Sequence, residues 1–266
     1  MSPSVMSALS QAYRSRQKVL GYPVDLVDEA SALEIVEAAW RAEKGLHVVT
    51  LNAEMVVAAQ QDQRLDRIIR HAHMIVPDGA GVVWAIRLTG HHVDRLPGID
   101  LAQALLSSAA AKGVGVALLG GRQEVLSTLL EVLPRLHPGL KIVASHNGYF
   151  SQEEEAKVVE NIAQADPQLV LLALGAPKQE YFADQWRSRW NKAVIIGVGG
   201  SFDVWTGTVK RAPRGFQRLH LEWLYRLLQE PWRFKRMSST LPKFGLQVLI
   251  DSCRQGLTGW HRKEKP

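Results

Sequence analysis

The feature that most constrains this chain is a rhythm of short, continuous apolar runs: Leu46 to Leu51, Met74 to Val76, Val114 to Leu119, Leu140 to Ala144, Leu169 to Leu174 and Ala193 to Val198. Runs that do not alternate with polar residues read as strands buried on both faces, the usual state of a strand inside a parallel sheet. Between them, Ala53 to Arg70, Gly79 to Leu88, Ile99 to Ala111, Arg122 to Leu136, Glu153 to Ala163 and Lys178 to Trp190 carry apolar residues at intervals of three and four, the helical period. The expected fold class is therefore α/β, a mostly parallel sheet with helices on both faces. No internal repeat or polar linker interrupts the pattern, which predicts one compact domain up to about Ser201.

Beyond that point the rhythm changes. Arg214 to Gln229 and Pro231 to Met237 read as two helices broken at Pro231, with Pro242 ending the region. Residues 204–266 hold 13 basic and four acidic side chains, a net charge of +9 in a chain of net +6. A slightly acidic body with a basic C-terminal part points to an anionic partner: nucleic acid, lipid headgroups or a phosphorylated substrate. The alternative is a solvated basic helix, preferred for Arg262, Lys263 and Lys265. Four of the eight tryptophans also lie there, so the region packs against or binds something. The single cysteine, Cys253, cannot form an internal disulfide, which fits a reducing compartment. Met1 to Ser10 lacks the apolar run expected of a secretory signal, and no apolar run approaches the length of a membrane span.

In open parallel sheets, ligands bind beyond the carboxyl ends of the strands. The segments there are Thr50-Leu51-Asn52, Pro77-Asp78-Gly79, Gly120-Gly121-Arg122, Asn147-Gly148-Tyr149-Phe150, Gly175 to Glu180 and Gly197 to Asp203. Glycine in such loops lets a ligand approach the backbone, and a following helix offers free amides to an anion. Gly120-Gly121 is the best cradle for a phosphate, weighted equally with a purely conformational reading. Asp78, with no basic neighbour in sequence, is placed for work on a ligand; by position alone, capping the next helix is the stronger reading. No Asp-x-Asp pair occurs, so a metal-bridged diphosphate is disfavoured. There is no GxxxxGK[ST] loop and no GxSxG elbow, and Gly113-Val114-Gly115 is an incomplete dinucleotide fingerprint. His71-Ala72-His73 and His91-His92 read as surface or loop histidines rather than metal ligands.

Read in order, Thr50-Leu51-Asn52, Pro77-Asp78-Gly79, Arg95 to Asp100, Gly148-Tyr149-Phe150, Gly175 to Glu180, Gly197 to Asp203, Lys210 to Pro213, Glu222 to Leu228 and Glu230 to Arg233 resemble the WecG/TagA/CpsF glycosyltransferase family, from about Tyr22 to Phe244. The resemblance implies a Rossmann-like fold and an inverting, metal-independent transferase without a cofactor at the cytoplasmic membrane face. Members move a sugar, often N-acetylmannosamine, from a UDP-sugar donor to a polyprenyl-diphosphate-linked acceptor saccharide in cell-surface polysaccharide synthesis. It assigns Asp78 as general base, overturning the capping reading. It places Thr50, Asn52 and Gln179 along the donor sugar, Arg95 in the pocket, and Tyr149, Phe202 and Asp203 around the uridine. Arg226, Arg233 and Arg236 become arginines that close over the leaving diphosphate, where guanidinium forks stabilise developing charge.

The organisation this implies is a flexible leader over 1–21, a glycosyltransferase domain over 22–203 and a basic helical appendage over 204–266. Besides donor and acceptor, an anionic membrane surface is an expected partner, met by Trp232, Phe234 and Met237 among Arg233, Lys235 and Arg236. A second copy in a homo-oligomer stays open, and nucleic acid is not expected. Two alternatives remain: a nucleotide-dependent oxidoreductase on the same kind of sheet, and a nucleic-acid binder using the basic tail.

Overall fold

The computed structural model describes residues 16–219, 221–229, 231 and 234–262. Six strands form one sheet: β3 (Leu46–Leu51), β4 (Met74–Pro77), β5 (Gly115–Gly120), β6 (Lys141–His146), β7 (Leu169–Ala173) and β8 (Val194–Gly197), in the order β4-β3-β8-β7-β5-β6. Every neighbouring pair in it is parallel. The continuous apolar runs are thus accounted for: β3, β4 and β8 are buried along their whole length, whereas edge strand β6 alternates exposed and half-buried.

Helices cover both faces, as the sequence predicts. On one face α1 (Glu29–Arg41), α5 (Gly98–Lys112) and α6 (Gln123–Leu136) pack over Val48, Val76, Val116, Leu118, Leu171 and Ile196. On the other, α7 (Gln152–Gln164) and α8 (Lys178–Trp186) cover Leu119, Val170, Leu172 and Ile195. Beside them α2 (Ala53–Ala59), α3 (Gln63–His71) and α4 (Ala80–Leu88) cover Val49, Leu51 and Ile75. Truncating a fully buried core side chain such as Leu118 to alanine costs roughly 2–5 kcal/mol.

Three expectations are corrected. The stretch taken as a flexible leader holds strand β1 (Arg16–Val19), paired antiparallel with β2 (Tyr22–Asp25). Arg16 donates to both oxygens of Asp25 at 2.6 and 2.8 Å, and Asp25 accepts the Ile75 N–H at 2.7 Å. That buried carboxylate fastens the hairpin to β4. The span Ala53 to Arg70 is two helices, because Asp62 caps α3 by accepting the N–H groups of Arg64 and Leu65.

The third correction concerns the C-terminal region, where α9 (Ser201–Trp205), α10 (Arg214–Arg218) and α11 (Glu222–Gln229) precede a long helix, α12 (Phe234–Arg262). Pro242 lies inside α12 and does not end it. Losing one backbone hydrogen bond at a proline is offset when tertiary packing holds the helix. Here Phe244 and Val248 are buried with the side chains of α2 and α4, and Gln247 exchanges hydrogen bonds with Gln60 at 3.0 and 3.1 Å. Met237, expected at a membrane surface, is buried as well. Phe234 is exposed, as are Leu246, Leu249 and Ile250 further along the helix. Among the described residues, no helix is long and apolar enough to cross a membrane.

Candidate active site

The strand order sets the site. β3 lies between β4 and β8, so the loops leaving these three strands open side by side at the carboxyl edge. Thr50, near the end of β3, is buried and directs Oγ1 at the Gly197 carbonyl of β8, 3.4 Å away. Asn52 caps α2 by accepting the Met55 N–H at 3.0 Å. Asp78 follows β4, with its own N–H donated to the carbonyls of Leu51 and Val76. Its half-buried carboxylate accepts the N–H of Gly98 at 3.3 Å. Gly79, not Asp78, stands at the cap position of α4, and no side chain caps that helix. The capping reading of Asp78 thereby loses its ground.

Gly98 joins two of these residues. A Cβ there would sit 2.9 Å from Thr50 Cγ2, closer than carbon atoms pack. With no side chain, the first turn of α5 closes on Thr50 while its amide reaches Asp78.

Gln179 belongs to the same cluster through β8. It is buried, accepts the Gly199 N–H through Oε1 at 3.1 Å, and donates from Nε2 to Glu180 at 3.2 Å. Its side chain lies against Gly197, where a Cβ would come within 2.2 Å of Nε2. Glu180, wholly buried, also meets His47 Nε2 at 3.1 Å. The chain His47–Glu180–Gln179 thus ends on the glycine loop after β8 and fixes its backbone. The peptide bond between Ala176 and Pro177, just before α8, is cis.

The remaining candidates fall elsewhere. Arg95 donates to Glu222 at the start of α11, and its side chain is only 9% exposed. Phe202 is fully buried in the core with its ring against Trp205, 5.9 Å between centroids. In that position it packs between α9 and α6 rather than facing a ligand. Its neighbour Asp203 is half-buried and, among the described residues, its carboxylate makes no hydrogen bond or ion pair. Tyr149, 73% exposed, follows β6, four strand positions from β3, which is about 19 Å at the usual strand spacing. Arg233 lies outside the described residues, as does Trp232. Arg226 sits on α11 and Arg236 on α12, and their side chains are outside the description.

At the end of β5, Gly120 has φ +133°, and a Cβ there would lie 2.4 Å from the Ala173 backbone. Packing against β7 therefore requires this glycine whether or not an anion binds. Among the described residues, no group of three or more His, Cys, Asp or Glu side chains is arranged to hold a metal ion. His47 is a functional candidate that sequence reasoning did not reach, and Glu180, inside the Gly175 to Glu180 segment, is one to which it gave no role. Their signal was an otherwise apolar strand carrying His47 and a helix turn carrying adjacent Gln179 and Glu180.

The chain is similar to known proteins over most of its length. A 207-residue stretch is 41% identical to the N-acetylglucosaminyldiphosphoundecaprenol N-acetyl-beta-D-mannosaminyltransferase of Bacillus spizizenii (strain W23), covering 77% of this chain and 79% of that one. The protein of the same name from Bacillus subtilis (strain 168) is 40% identical over 206 residues, with the same coverage. Residues 17–257 match the Glycosyl transferase WecG/TagA/CpsF family. Both relatives and the near-complete span of that match place the chain in one group: it belongs to the WecG/TagA/CpsF family of glycosyltransferases.

Proposed function

We propose that the protein is an inverting glycosyltransferase that moves an N-acetylmannosamine-type sugar from a UDP-sugar to a polyprenyl-diphosphate-linked acceptor saccharide. The observation that carries this reading is the Asp78 carboxylate, held by the Gly98 N–H where the β3, β4 and β8 loops meet. It is supported by two relatives named for transfer of N-acetylmannosamine to a lipid-linked N-acetylglucosamine. Family membership sets aside the oxidoreductase and nucleic-acid alternatives.

In the proposed step the acceptor hydroxyl oxygen attacks the anomeric carbon of the donor. Asp78 takes the hydroxyl proton as the new bond forms. The bond from the anomeric carbon to the β-phosphate oxygen breaks on the opposite face, and its electron pair leaves with UDP, so the configuration inverts. Thr50 and Asn52 shape the wall beside the sugar, and Gln179 sets the loop after β8. The separation of Asp78 from Tyr149 suits an elongated donor, with its sugar at β3 and β4 and its base towards the β5 and β6 loops. The charge on departing UDP falls to Arg226 of α11 and Arg236 of α12, with Arg233, which precedes α12 in the sequence.

The lipid acceptor requires approach to a membrane, and this reading puts the enzyme on its inner face. Exposed Leu246, Leu249 and Ile250 on α12, in the basic part of the chain, support an interfacial role. Flotation with anionic vesicles should be lost when Leu246 and Leu249 are both replaced by glutamate.

The transferase reading is tested by incubating the protein with a panel of UDP-sugars and a short-chain prenyl-diphosphate N-acetylglucosamine. A product heavier by one N-acetylhexosamine residue is expected from UDP-N-acetylmannosamine. No product from any donor would sink the assignment.

A further inference from the structure

The segment from Arg95 to Asp100 is gripped from two sides. Towards the sheet, Gly98 donates its N–H to Asp78 and rests on Thr50. Towards the C-terminal helices, Arg95 donates to Glu222 Oε2, and Asp100 accepts Arg211 through both oxygens at 2.6 and 2.7 Å. Arg211 Nε also reaches Glu222 Oε1 at 3.4 Å. Both oxygens of Glu222 therefore face guanidinium groups, one from the loop before α5 and one from the loop after α9.

Isolated surface ion pairs contribute little, because water screens them and two long side chains must be ordered. This network differs. The side chains of Arg95 and Glu222 are 9% and 16% exposed, so screening is weaker, and four charges share one arrangement. Glu222 is the first residue of α11, a helix of eight residues. A helix that short does not hold together alone in water, so its anchors define where it lies. At its far end Gln229 donates to the Lys210 carbonyl at 3.0 Å. Arg226 follows Glu222 by four residues, one turn along the same helix.

We propose that Glu222 is a positioning residue: it docks α11 onto the Arg95–Asp100 segment and so sets the C-terminal arginines in register with the Asp78 carboxylate. The effect on turnover rests on the transferase reading above, whereas the docking does not. The network also predicts an asymmetry. Without Glu222, Arg95 and Arg211 both lose the carboxylate they share and the start of α11 loses its tie to both loops; without Arg211, Glu222 keeps Arg95. Loss of Glu222 is the more damaging change.

The test uses the full chain carrying Glu222→Gln, Arg211→Ala, or both, and follows amide hydrogen exchange and steady-state kinetics. Loss of a charged hydrogen bond predicts that protection of residues 222–229 falls by about tenfold to a hundredfold in Glu222→Gln, with β5 and β7 unchanged. The kcat value should fall by at least about tenfold while the donor KM stays close to wild type. Arg211→Ala should do less by itself, and little more when added to Glu222→Gln. Wild-type protection of residues 222–229 in Glu222→Gln would overturn the docking. Wild-type kcat with that protection lost would overturn the positioning role, and so would a fall in kcat matched by loss of core protection. If the wild-type chain transfers no sugar, the transferase reading fails on its own and exchange alone judges the docking.

Discussion

Gln179 and Gly199 are joined by a hydrogen bond from the Gly199 N–H to Gln179 Oε1, 3.1 Å long, which ties a buried side chain to a half-buried loop. The other end of the same amide donates to Glu180 Oε1 at 3.2 Å. An amide suits this place because it accepts on one side and donates on the other. Gln179→Glu keeps the shape and loses the donor, setting two carboxylates against each other. Expected outcomes are a loss of about 1–3 kcal/mol in unfolding free energy and reduced turnover as the Gly199 loop relaxes. Urea denaturation and product formation, compared with Gln179→Met, would check both. Equal stability of the glutamate variant would mean that the amide orientation is not what holds the loop.

Asp78→Asn preserves the acceptor for the Gly98 N–H and removes the proton acceptor. Turnover should fall by about 10²–10⁴-fold, with the melting temperature within a degree or two of wild type. Gly98→Ala acts on the same contact from the other side. Its new methyl would meet Thr50 Cγ2 at 2.9 Å, and overpacking of that kind costs about 1–3 kcal/mol. The alanine variant should lose both stability and rate, unlike the asparagine variant.

Stability should fall in mild acid. His137 is buried, bonded to Ser107 and Gln103 at 3.0 and 3.1 Å, and loss of hydration holds its imidazole below the ordinary histidine value. His73 is shifted the same way, first by desolvation and then by Arg187 and His47. For a group whose folded pKa is depressed, the unfolded chain takes the proton first. Unfolding is therefore favoured progressively as pH drops below about 6.5, until the folded value is passed. Denaturant midpoints at neutral pH and in mild acid should show this slope, and His137→Gln, which keeps hydrogen bonding without titrating, should reduce it.

Chelation should not matter. No Asp-x-Asp pair occurs in the sequence, and in the proposed reaction arginine supplies the charge opposite the leaving diphosphate. Turnover should survive excess EDTA, and Arg226→Lys should lower it, because an ammonium cannot make the forked pair of hydrogen bonds. Activity lost to EDTA and restored by magnesium would refute the metal-free account.

Much of the fold was legible because six apolar runs mark buried parallel strands, a signal that depends on local residues alone. Pro242 misled for the same reason: a local breaker was outweighed by Phe244 and Val248 packing on distant helices. The β1–β2 hairpin escaped because its short strands owe their place to Asp25 reaching Ile75. In the site, Asp78, Thr50, Asn52 and Gln179 stand out as polar residues closing apolar runs. Phe202 shows the limit, since an aromatic after a glycine turn reads equally as a ligand platform or as core, and burial makes it core. The Arg95–Glu222 contact links residues 127 positions apart, and no local pattern announces it.

Thr50 meets the Gly197 carbonyl across 147 residues of sequence, because the third and eighth strands lie side by side. During synthesis, a nascent chain released as far as β7 would have made Asp78, Thr50 and Asn52 but not the strand that forms their third wall. The proposed pocket is thus a late product of translation, and a fragment ending at β7 leaves the β4–β3 pair detached from β7–β5–β6, because β8 is the strand that joins them.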